Sequence, residues 1–353
     1  MFRQEIGGDF HICNDGVDCN GENFKNIFEY LKDFSVSYFD SGRSALRALL
    51  EQMKYKKVLL PGYICESVRD CFSAECNVLY YRMTKDIKID WNDLLDKADG
   101  KVDIVYLHFF NGYIGKEYDL EALLRLKEKY NFTIIEDTTH SLFSSVCTVG
   151  DYCVCSLRKW FPIADGGVLY SKNIIEAEVQ NESAWTAKKR AAMIEKAKYL
   201  RGEIDTKEDF LTEFADTEHS LDSQTHPYSI SSESFAALKC LDCNALMNIR
   251  KQNFNYLKER LNCKVVAVGT ENQVPLFFTI RADQRDELRR YFISHSIYCP
   301  VHWPLYNELE ELSEAKDIYN AELSIPIDQR YGEKEMEYIC KTYYAFVDRS
   351  EKT

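Results

Sequence analysis

The chain has 353 residues, of which 45% are hydrophobic and 29% charged, and its formal net charge is −13. This length exceeds what one hydrophobic core usually supports, so we expect a large domain and a smaller one. The acidic balance argues against nucleic acid or an anionic membrane as the main partner, because both attract dense patches of lysine and arginine.

The beginning of the sequence, MFRQEIGGDF, lacks the basic start and apolar core of a secretory signal. No apolar run reaches the roughly 18 residues of a membrane span. We therefore expect a cytoplasmic protein whose 13 cysteines are reduced thiols. Cys240 and Cys243 form one C-x-x-C pair, and Cys153 and Cys155 flank a single residue, but neither pair has a partner at zinc-site spacing. We predict no metal site.

The first half of the chain alternates between short apolar runs and amphipathic segments. Runs rich in β-branched and aromatic residues predict buried strands at 56–61, 77–83, 102–110, 132–137, 152–157 and 166–171. Apolar residues at helical spacing predict helices at 44–53 and 119–130. This alternation predicts a mostly parallel α/β sheet.

The second half of the chain has a different pattern. Residues 172–220 form a long polar helical segment rich in lysine and glutamate, and a further helical pattern at 232–261 predicts one helix or two. Segments 274–282, 283–296 and 297–304 then read as strand, helix and strand. We divide the chain into a large domain, 1–250, and a small C-terminal α+β domain, 251–353.

Several predicted strands end in groups that could bind a ligand, because ligands of open α/β sheets bind beyond the carboxyl ends of the strands. Ser41, Gly42 and Ser44 begin a predicted helix, where backbone N–H groups and hydroxyls suit a phosphate. A simple serine N-cap is the alternative. Asp137 ends a buried strand, where a carboxylate is costly unless it meets a cation or hydrogen-bond donors. A protonated heterocyclic nitrogen would supply the cation; capping of the next helix is the alternative.

Lys159 lies in the mostly apolar stretch CSLRKWFPIADGGVLY, beside Trp160 and Phe161. Desolvation by such a wall lowers the pKa of an amine, as a Schiff-base lysine requires. A surface or salt-bridged lysine is the alternative. Gly166 and Gly167 precede the next strand and permit close backbone packing.

Four short motifs occur in a fixed order: EDTTH at 136–140, GD at 150–151, SLRK at 156–159 and DGG at 165–167. This order resembles the signature of the DegT/DnrJ/EryC1/StrS group of fold-type-I pyridoxal-phosphate aminotransferases. The resemblance extends upstream through SGRSALRALL, VLLPGY and VYLHFFNG, and downstream through SSESFAAL, so it covers most of the chain. It implies a large domain with a mostly parallel seven-stranded sheet, followed by a small α+β domain.

The resemblance also implies roles for individual residues. Lys159 would be the Schiff-base lysine and shuttle a proton, Asp137 would pair with the pyridinium nitrogen, and His140 would approach the ring's phenolic oxygen. The residues that would hold the phosphate are Ser41, Gly42, Arg43, Ser44 and Ser156.

Cys65 falls where the family places the aromatic side chain that stacks on the cofactor ring, and Tyr63 is its neighbour. We include both among the cofactor-binding candidates. His108, His302 and Trp303 are candidates for substrate contact, with packing roles as the alternative.

The function implied by the resemblance is transfer of an amino group, from glutamate, to a nucleotide-linked keto sugar in polysaccharide or glycoconjugate biosynthesis. The family also implies a homodimer with shared sites. Two alternatives stay open: a pyridoxal-phosphate lyase or dehydratase, and a non-catalytic member that no longer holds the cofactor. Lys159 argues against the sugar-dehydratase branch, in which histidine replaces the lysine.

Overall fold

The structure, a computed structural model, describes residues 3–12, 24–98, 100, 102–173 and 179–350. The strands in these ranges are β1 (Ile6–Gly7), β2 (Ser35–Phe39), β3 (Lys57–Pro61), β4 (Asn77–Tyr81), β5 (Ile104–His108), β6 (Thr133–Asp137), β7 (Tyr152–Ser156), β8 (Gly167–Ser171), β9 (Lys264–Val265), β10 (Phe277–Arg281), β11 (Ile297–Tyr298) and β12 (Glu322–Pro326). The α-helices are α1 (Ile27–Tyr30), α2 (Gly42–Leu50), α3 (Glu66–Arg69), α4 (Trp91–Lys97), α5 (Glu117–Tyr130), α6 (Trp185–Arg201), α7 (Glu208–Asp222), α8 (Ser232–Leu238), α9 (Cys243–Arg260), α10 (Arg285–Ser294), α11 (Asn307–Glu310), α12 (Ser313–Tyr319) and α13 (Glu333–Ser350).

A seven-stranded sheet forms the centre of the fold, with the strand order β2-β8-β7-β6-β5-β3-β4. β8 is antiparallel to both of its neighbours, whereas β7, β6, β5, β3 and β4 are mutually parallel. All five residues of β5 are buried, as expected for a strand covered on both faces. The predicted mostly parallel α/β sheet is thus confirmed.

The start of α2 is fixed by its own sequence. The Ser41 hydroxyl accepts a hydrogen bond from the Ser44 N–H at 3.1 Å, and buried apolar residues such as Leu46 and Leu49 recur along one face of the helix. α2 packs against β7 and β8, so its first turn lies at the carboxyl end of β7.

The polar segment at 172–220 is not one long helix. It contains α6 and α7, which pack against each other, and α6 begins only at Trp185. Phe210 and Phe214 of α7 and Met193 of α6 share a small core. Residues 174–178 of this segment lie outside the described residues.

The C-terminal part contains a three-stranded antiparallel sheet with the order β12-β10-β9. The strand predicted at 297–304 is only Ile297–Tyr298, because Pro300 and Pro304 lack the N–H that a strand ladder needs. The helical pattern at 232–261 is two helices, α8 and α9.

The boundary predicted between residues 250 and 251 falls inside α9. β1, from the start of the chain, pairs with β11 in the C-terminal part, with Ile6 opposite Ile297. The division into 1–250 and 251–353 stays a prediction. Within the described ranges, none of the helices combines the length and apolar character needed to cross a bilayer.

Candidate active site

A cavity of about 330 Å³ opens at the carboxyl ends of the parallel strands; we call it the inner cavity. The predicted site residues that line it are Ser41, Gly42, Arg43, Cys65, His108, Asp137, His140, Ser156, Lys159 and Trp303. Ser44, Tyr63 and His302 were also predicted, but they do not line this cavity. The fold therefore brings together most of the residues that the motifs indicate.

Asp137 is the last residue of β6 and lies opposite His108, the last residue of β5. Nδ1 of His108 is 3.1 Å from Oδ2 of Asp137, and the Thr139 N–H donates to Oδ1 at 2.9 Å. Burial would raise the pKa of Asp137, but the His108 imidazole and the donors of Thr139 outweigh it and hold the pKa below its usual range. Residues 139–144 form turns, so Asp137 does not cap a following helix. The site thus contains a buried carboxylate that is ionised at neutral pH.

Lys159 ends the short 3₁₀ segment Leu157–Lys159 that follows β7. Its side chain borders the inner cavity and two neighbouring cavities of about 400 and 190 Å³. Enclosure by these walls, followed by the positive charge of Arg158, lowers the pKa of Lys159. Lys159 is nevertheless exposed to solvent, and its side chain is reachable from all three cavities.

The loop that carries Lys159 is attached to the turn after Asp137. The Ser156 N–H donates to Oγ1 of Thr139 at 3.0 Å, and the Trp160 indole donates to the Thr139 carbonyl at 2.8 Å. These two bonds hold the segment on both sides of Lys159. The lysine and the carboxylate are consequently positioned by the same turn.

The paired glycines let this loop approach α2 closely. A Cβ added to Gly167 would lie 2.0 Å from the Ser41 carbonyl oxygen, and Gly166 has a φ of +153°. Asp165 accepts hydrogen bonds from the Ser231 N–H at 2.7 Å and from the hydroxyls of Ser231 and Ser234. The DGG motif therefore joins β8, α2 and α8 behind the cavity.

The first turn of α2 and Ser156 form one end of the inner cavity. A Cβ added to Gly42 would lie 3.2 Å from the Ser156 Cβ, so the two residues are in close contact. The Ser41 hydroxyl caps α2 and donates to Asp40, while Ser44 is buried and accepts from the Tyr228 N–H at 3.4 Å. The serine-cap alternative is thus realised for Ser41. The Ser44 N–H is used by this cap, so the donors that the first turn of α2 offers at this end are the N–H groups of Gly42 and Arg43.

Two acids of α7 also line the inner cavity, and the motifs gave no sign of them. Glu218 lies 2.7 Å from Arg158 and 3.1 Å from Lys189, and Asp222 pairs with Arg43. Burial would raise the pKa of Glu218, but Arg158 and Lys189 hold it well below its usual range. Helix α7, most of which belongs to the polar segment at 172–220, therefore forms one wall of the site.

The other end of the cavity is aromatic. The His140 and Trp303 rings lie 5.6 Å apart between centroids, and the His108 ring is 4.8 Å from that of His140. Burial, followed by the proximity of His108 and His302, lowers the pKa of His140 well below its usual value, so its imidazole is neutral. Nδ1 of His140 accepts from the Asn111 N–H at 3.5 Å.

Three of the predicted site residues, Tyr63, His302 and Ser44, do not face the inner cavity. Tyr63 is only 1% exposed and its ring packs against Trp303, with centroids 5.4 Å apart, whereas Cys65 two residues later lines the cavity. The chain turns between them, so the two side chains have different surroundings. The His302 N–H donates to Glu322 at 2.8 Å, and its ring borders the 400 Å³ cavity instead. Ser44 lies on the buried face of α2.

One cluster elsewhere has metal-ligand composition: Glu136, Cys147 and Cys153 place ligand atoms within 4.8 Å of one another. The Glu136 carboxylate, however, accepts hydrogen bonds from the N–H groups of residues 148–150 and from the Thr148 hydroxyl. Its lone pairs are used to hold that turn, so we assign it a structural role.

No protein-family model and no curated protein sequence matches the chain. Solved structures do match. A Streptococcus pneumoniae protein assigned as a sugar aminotransferase, Spr1654 in its PMP form, superimposes with a TM-score of 0.68 at 14% identity, covering 98% of each chain. PseC of Helicobacter pylori, an aminotransferase involved in pseudoaminic acid biosynthesis, gives 0.65 at 14% identity over 97% of this chain and 99% of its own. A DegT DnrJ EryC1 StrS aminotransferase from Brucella abortus gives 0.62 at 14% identity over 91% and 88%. The chain therefore has the fold of the fold-type-I sugar aminotransferases, as its motifs predict.

Proposed function

We propose that this protein is a pyridoxal-phosphate-dependent aminotransferase that moves an amino group from glutamate to a keto sugar, which is nucleotide-linked. The observation that carries the proposal is the presence, in one cavity, of the Lys159 amine and the buried, ionised Asp137 carboxylate. Ionisable groups whose pKa values are shifted and that line a cavity are typical of catalytic sites.

The donors and charges of the inner cavity fit the three polar parts of pyridoxal phosphate. An amine, Lys159, is available for the aldehyde, and a carboxylate, Asp137, is available for the ring nitrogen. The first turn of α2 and Ser156 offer donors for the phosphate. The cavity volume of about 330 Å³ suits a small ligand.

When bound, the cofactor would supply an electron sink for negative charge on the substrate carbon. Asp137 would keep the ring nitrogen protonated, and His108, 3.1 Å away, would hold that carboxylate in place. Lys159, with its lowered pKa, would take and return the substrate proton, a role that contributes on the order of 10² to 10⁴ in rate. Neutral His140 and Trp303 would form the wall that excludes water.

The remaining parts of the proposal come from the sequence resemblance. They are a product used in polysaccharide or glycoconjugate biosynthesis, a cytoplasmic location and a homodimer with shared sites. Light scattering of the purified protein would test the dimer. A monomer at the concentrations used for assay would contradict it.

The first experiment is an absorbance spectrum of the full-length protein after incubation with pyridoxal phosphate, followed by borohydride reduction and peptide mapping. We expect the cofactor to be fixed to the peptide that contains Lys159 and to be lost in Lys159→Ala. Lys188→Ala, at an exposed lysine of α6, is the matched control and should retain it. Loaded protein would then be assayed with glutamate and keto sugars for an amino-sugar product.

One observation favours a second candidate, a non-catalytic protein with this fold: a cysteine, Cys65, lines the inner cavity where the family has a stacking aromatic residue. Under this alternative the wild-type protein would take up no pyridoxal phosphate, which would overturn the aminotransferase proposal. A lyase or dehydratase would load the cofactor but yield a product without a new amino group.

A further inference from the structure

A buried carboxylate of the small sheet holds one of the histidines at the candidate site. Glu322 is the first residue of β12 and has no exposed surface. The His302 N–H donates to Oε2 of Glu322 at 2.8 Å, and Nδ1 of His302 lies 3.3 Å from Oε1. Glu322 therefore contacts His302 through both its backbone and its ring.

The other partners of Glu322 are hydroxyl groups. The Ser324 hydroxyl donates to Oε1 at 2.5 Å, and the hydroxyls of Ser324 and Thr279, which face each other across β12 and β10, lie 2.9 Å apart. In the described part of the chain, no lysine or arginine lies within ion-pair distance of this carboxylate. A buried carboxylate is costly unless donors surround it, and here the donors are His302 and Ser324.

This arrangement fixes which ring nitrogen of His302 carries the proton. A carboxylate oxygen only accepts hydrogen bonds, so Nδ1 donates to Oε1 of Glu322. In a neutral imidazole the second nitrogen then has no proton and is an acceptor. Glu322 thus makes Nε2 of His302 a hydrogen-bond acceptor.

Nε2 is at the edge of the ring that is left for a ligand. The His302 ring borders the cavity of about 400 Å³ that Lys159 also borders; we call it the outer cavity. The ring packs against Phe277 and Phe110, with centroids 5.0 and 5.6 Å apart, so its orientation is held by aromatic contacts as well. Nε2 is not fully enclosed, and it has no hydrogen bond to another residue of the described ranges. The outer cavity therefore has a neutral acceptor in its wall.

Such an acceptor selects ligand groups that have a proton to donate. Carboxylate and phosphate oxygens only accept, so their lone pairs would face that of Nε2. An ammonium group would bind more strongly to a carboxylate such as Asp328, which also lines the outer cavity. The group that fits Nε2 is a neutral hydroxyl, and a keto sugar carries several.

We propose that Glu322 is a positioning residue, which fixes His302 as the Nδ1–H tautomer so that Nε2 accepts a hydrogen bond from a sugar hydroxyl in the outer cavity. The hydroxyl rests on the proposed function, because that function supplies the sugar. The tautomer is a property of the protein without any ligand, so it is measured separately.

Glu322→Gln tests the positioning role because it keeps the shape and replaces one oxygen by an NH₂ group. The amide oxygen has to occupy the place of Oε2 to accept the His302 N–H, which puts the NH₂ group opposite Nδ1. Since NH₂ only donates, Nδ1 should lose its proton and Nε2 should gain one. We expect the ring ¹⁵N chemical shifts of His302 to change from the Nδ1–H pattern to the Nε2–H pattern.

The shifts are read from full-length protein labelled with ¹⁵N-histidine, at a pH at which free imidazole is neutral. The chain has seven histidines, and the signal missing from His302→Asn identifies His302. Ser324→Ala is the matched control: it removes a hydrogen bond from the same carboxylate but leaves the carboxylate in place, so the Nδ1–H tautomer should persist.

Three results would overturn the positioning role: an Nε2–H or doubly protonated His302 in the wild type, an unchanged tautomer in Glu322→Gln, or the same change in Ser324→Ala. Melting curves verify that each variant is folded. The wild-type spectrum and Ser324→Ala still decide the tautomer and its origin if Glu322→Gln does not fold.

Glycerol is the probe for the hydroxyl, because it is small and carries no charge. We expect added glycerol to shift the Nε2 signal of the wild type and of Ser324→Ala toward that of a hydrogen-bonded acceptor, but not the signal of Glu322→Gln. No shift in the wild type would overturn the hydroxyl assignment. The expected tautomers in a protein that takes up no pyridoxal phosphate would support the role of Glu322 and overturn the proposed function.

Discussion

Replacing Asp137 by asparagine removes one charge and keeps the shape of the side chain. The amide oxygen can still accept the hydrogen bond that the Thr139 N–H now makes at 2.9 Å, so the turn that positions Lys159 should persist. The negative charge that His108 Nδ1 faces, 3.1 Å from Oδ2, is removed. The variant therefore tests the charge of Asp137 rather than the local structure.

The expected magnitude follows from that charge. A hydrogen bond to a charged group contributes about 1.5–3 kcal/mol, against about 1 kcal/mol for a neutral one. Asp137→Asn should then weaken binding of a protonated ring by about 0.5–2 kcal/mol, or roughly 2- to 30-fold in Kd. The rate of amino transfer should fall as well, since the ring nitrogen would no longer be kept protonated.

A fluorescence titration of cofactor-free wild type and Asp137→Asn measures this loss. The control ligand is the cofactor analogue in which carbon replaces the ring nitrogen, because it offers Asp137 no proton. We expect the substitution to weaken pyridoxal phosphate but to leave the analogue's Kd unchanged. Equal losses for the two ligands, or no loss for either, would show that Asp137 does not pair with the ring nitrogen.

The remaining predictions concern three other positions. Cys65→Tyr should tighten cofactor binding several-fold in the same titration, because a stacked ring adds about 0.5–1.5 kcal/mol; weaker binding would show that the cavity has no room for it. Gly167→Ala should lower the free energy of unfolding by about 1–3 kcal/mol in a denaturant titration, since the added Cβ would lie 2.0 Å from the Ser41 carbonyl oxygen. Gly332→Ala is the control: the nearest atom to its added Cβ is 4.0 Å away, so the free energy of unfolding should change little. Glu218→Gln removes a negative charge that raises the pKa of Lys159, so the midpoint for reductive methylation of Lys159 should move to lower pH, and an upward shift would contradict the assignment.

The parallel strands could be predicted because each is a continuous apolar run, and continuous runs are visible without knowing any contact. β3, β5 and β6 lie inside the ranges 56–61, 102–110 and 132–137. β2 escaped prediction because Ser35 and Ser37 interrupt its apolar pattern, and it lies at the edge of the sheet, where fewer of its residues are fully buried. The antiparallel direction of β8 could not be predicted either, since strand direction depends on how the chain crosses the sheet.

Some residues of the candidate site could likewise be predicted from the sequence, and others could not. Lys159 and Asp137 stand out in the sequence because a charged residue beside apolar neighbours is visible along the chain. Tyr63 and Cys65 show the limit, because which of two residues in one turn faces a cavity depends on the path of the backbone.

The sequence by itself determined the α/β class and the order of the motifs, and it singled out the lysine and carboxylate that we propose as catalytic, because these depend on local composition and spacing. Only the tertiary structure decided that Glu218, 60 residues beyond Arg158 in the chain, would neutralise it at the wall of the inner cavity. It alone brought Arg289 of α10 to the cavity that Lys159 borders. Charges act through space over a few ångströms, and residues so distant in sequence come within that range only after the chain has folded.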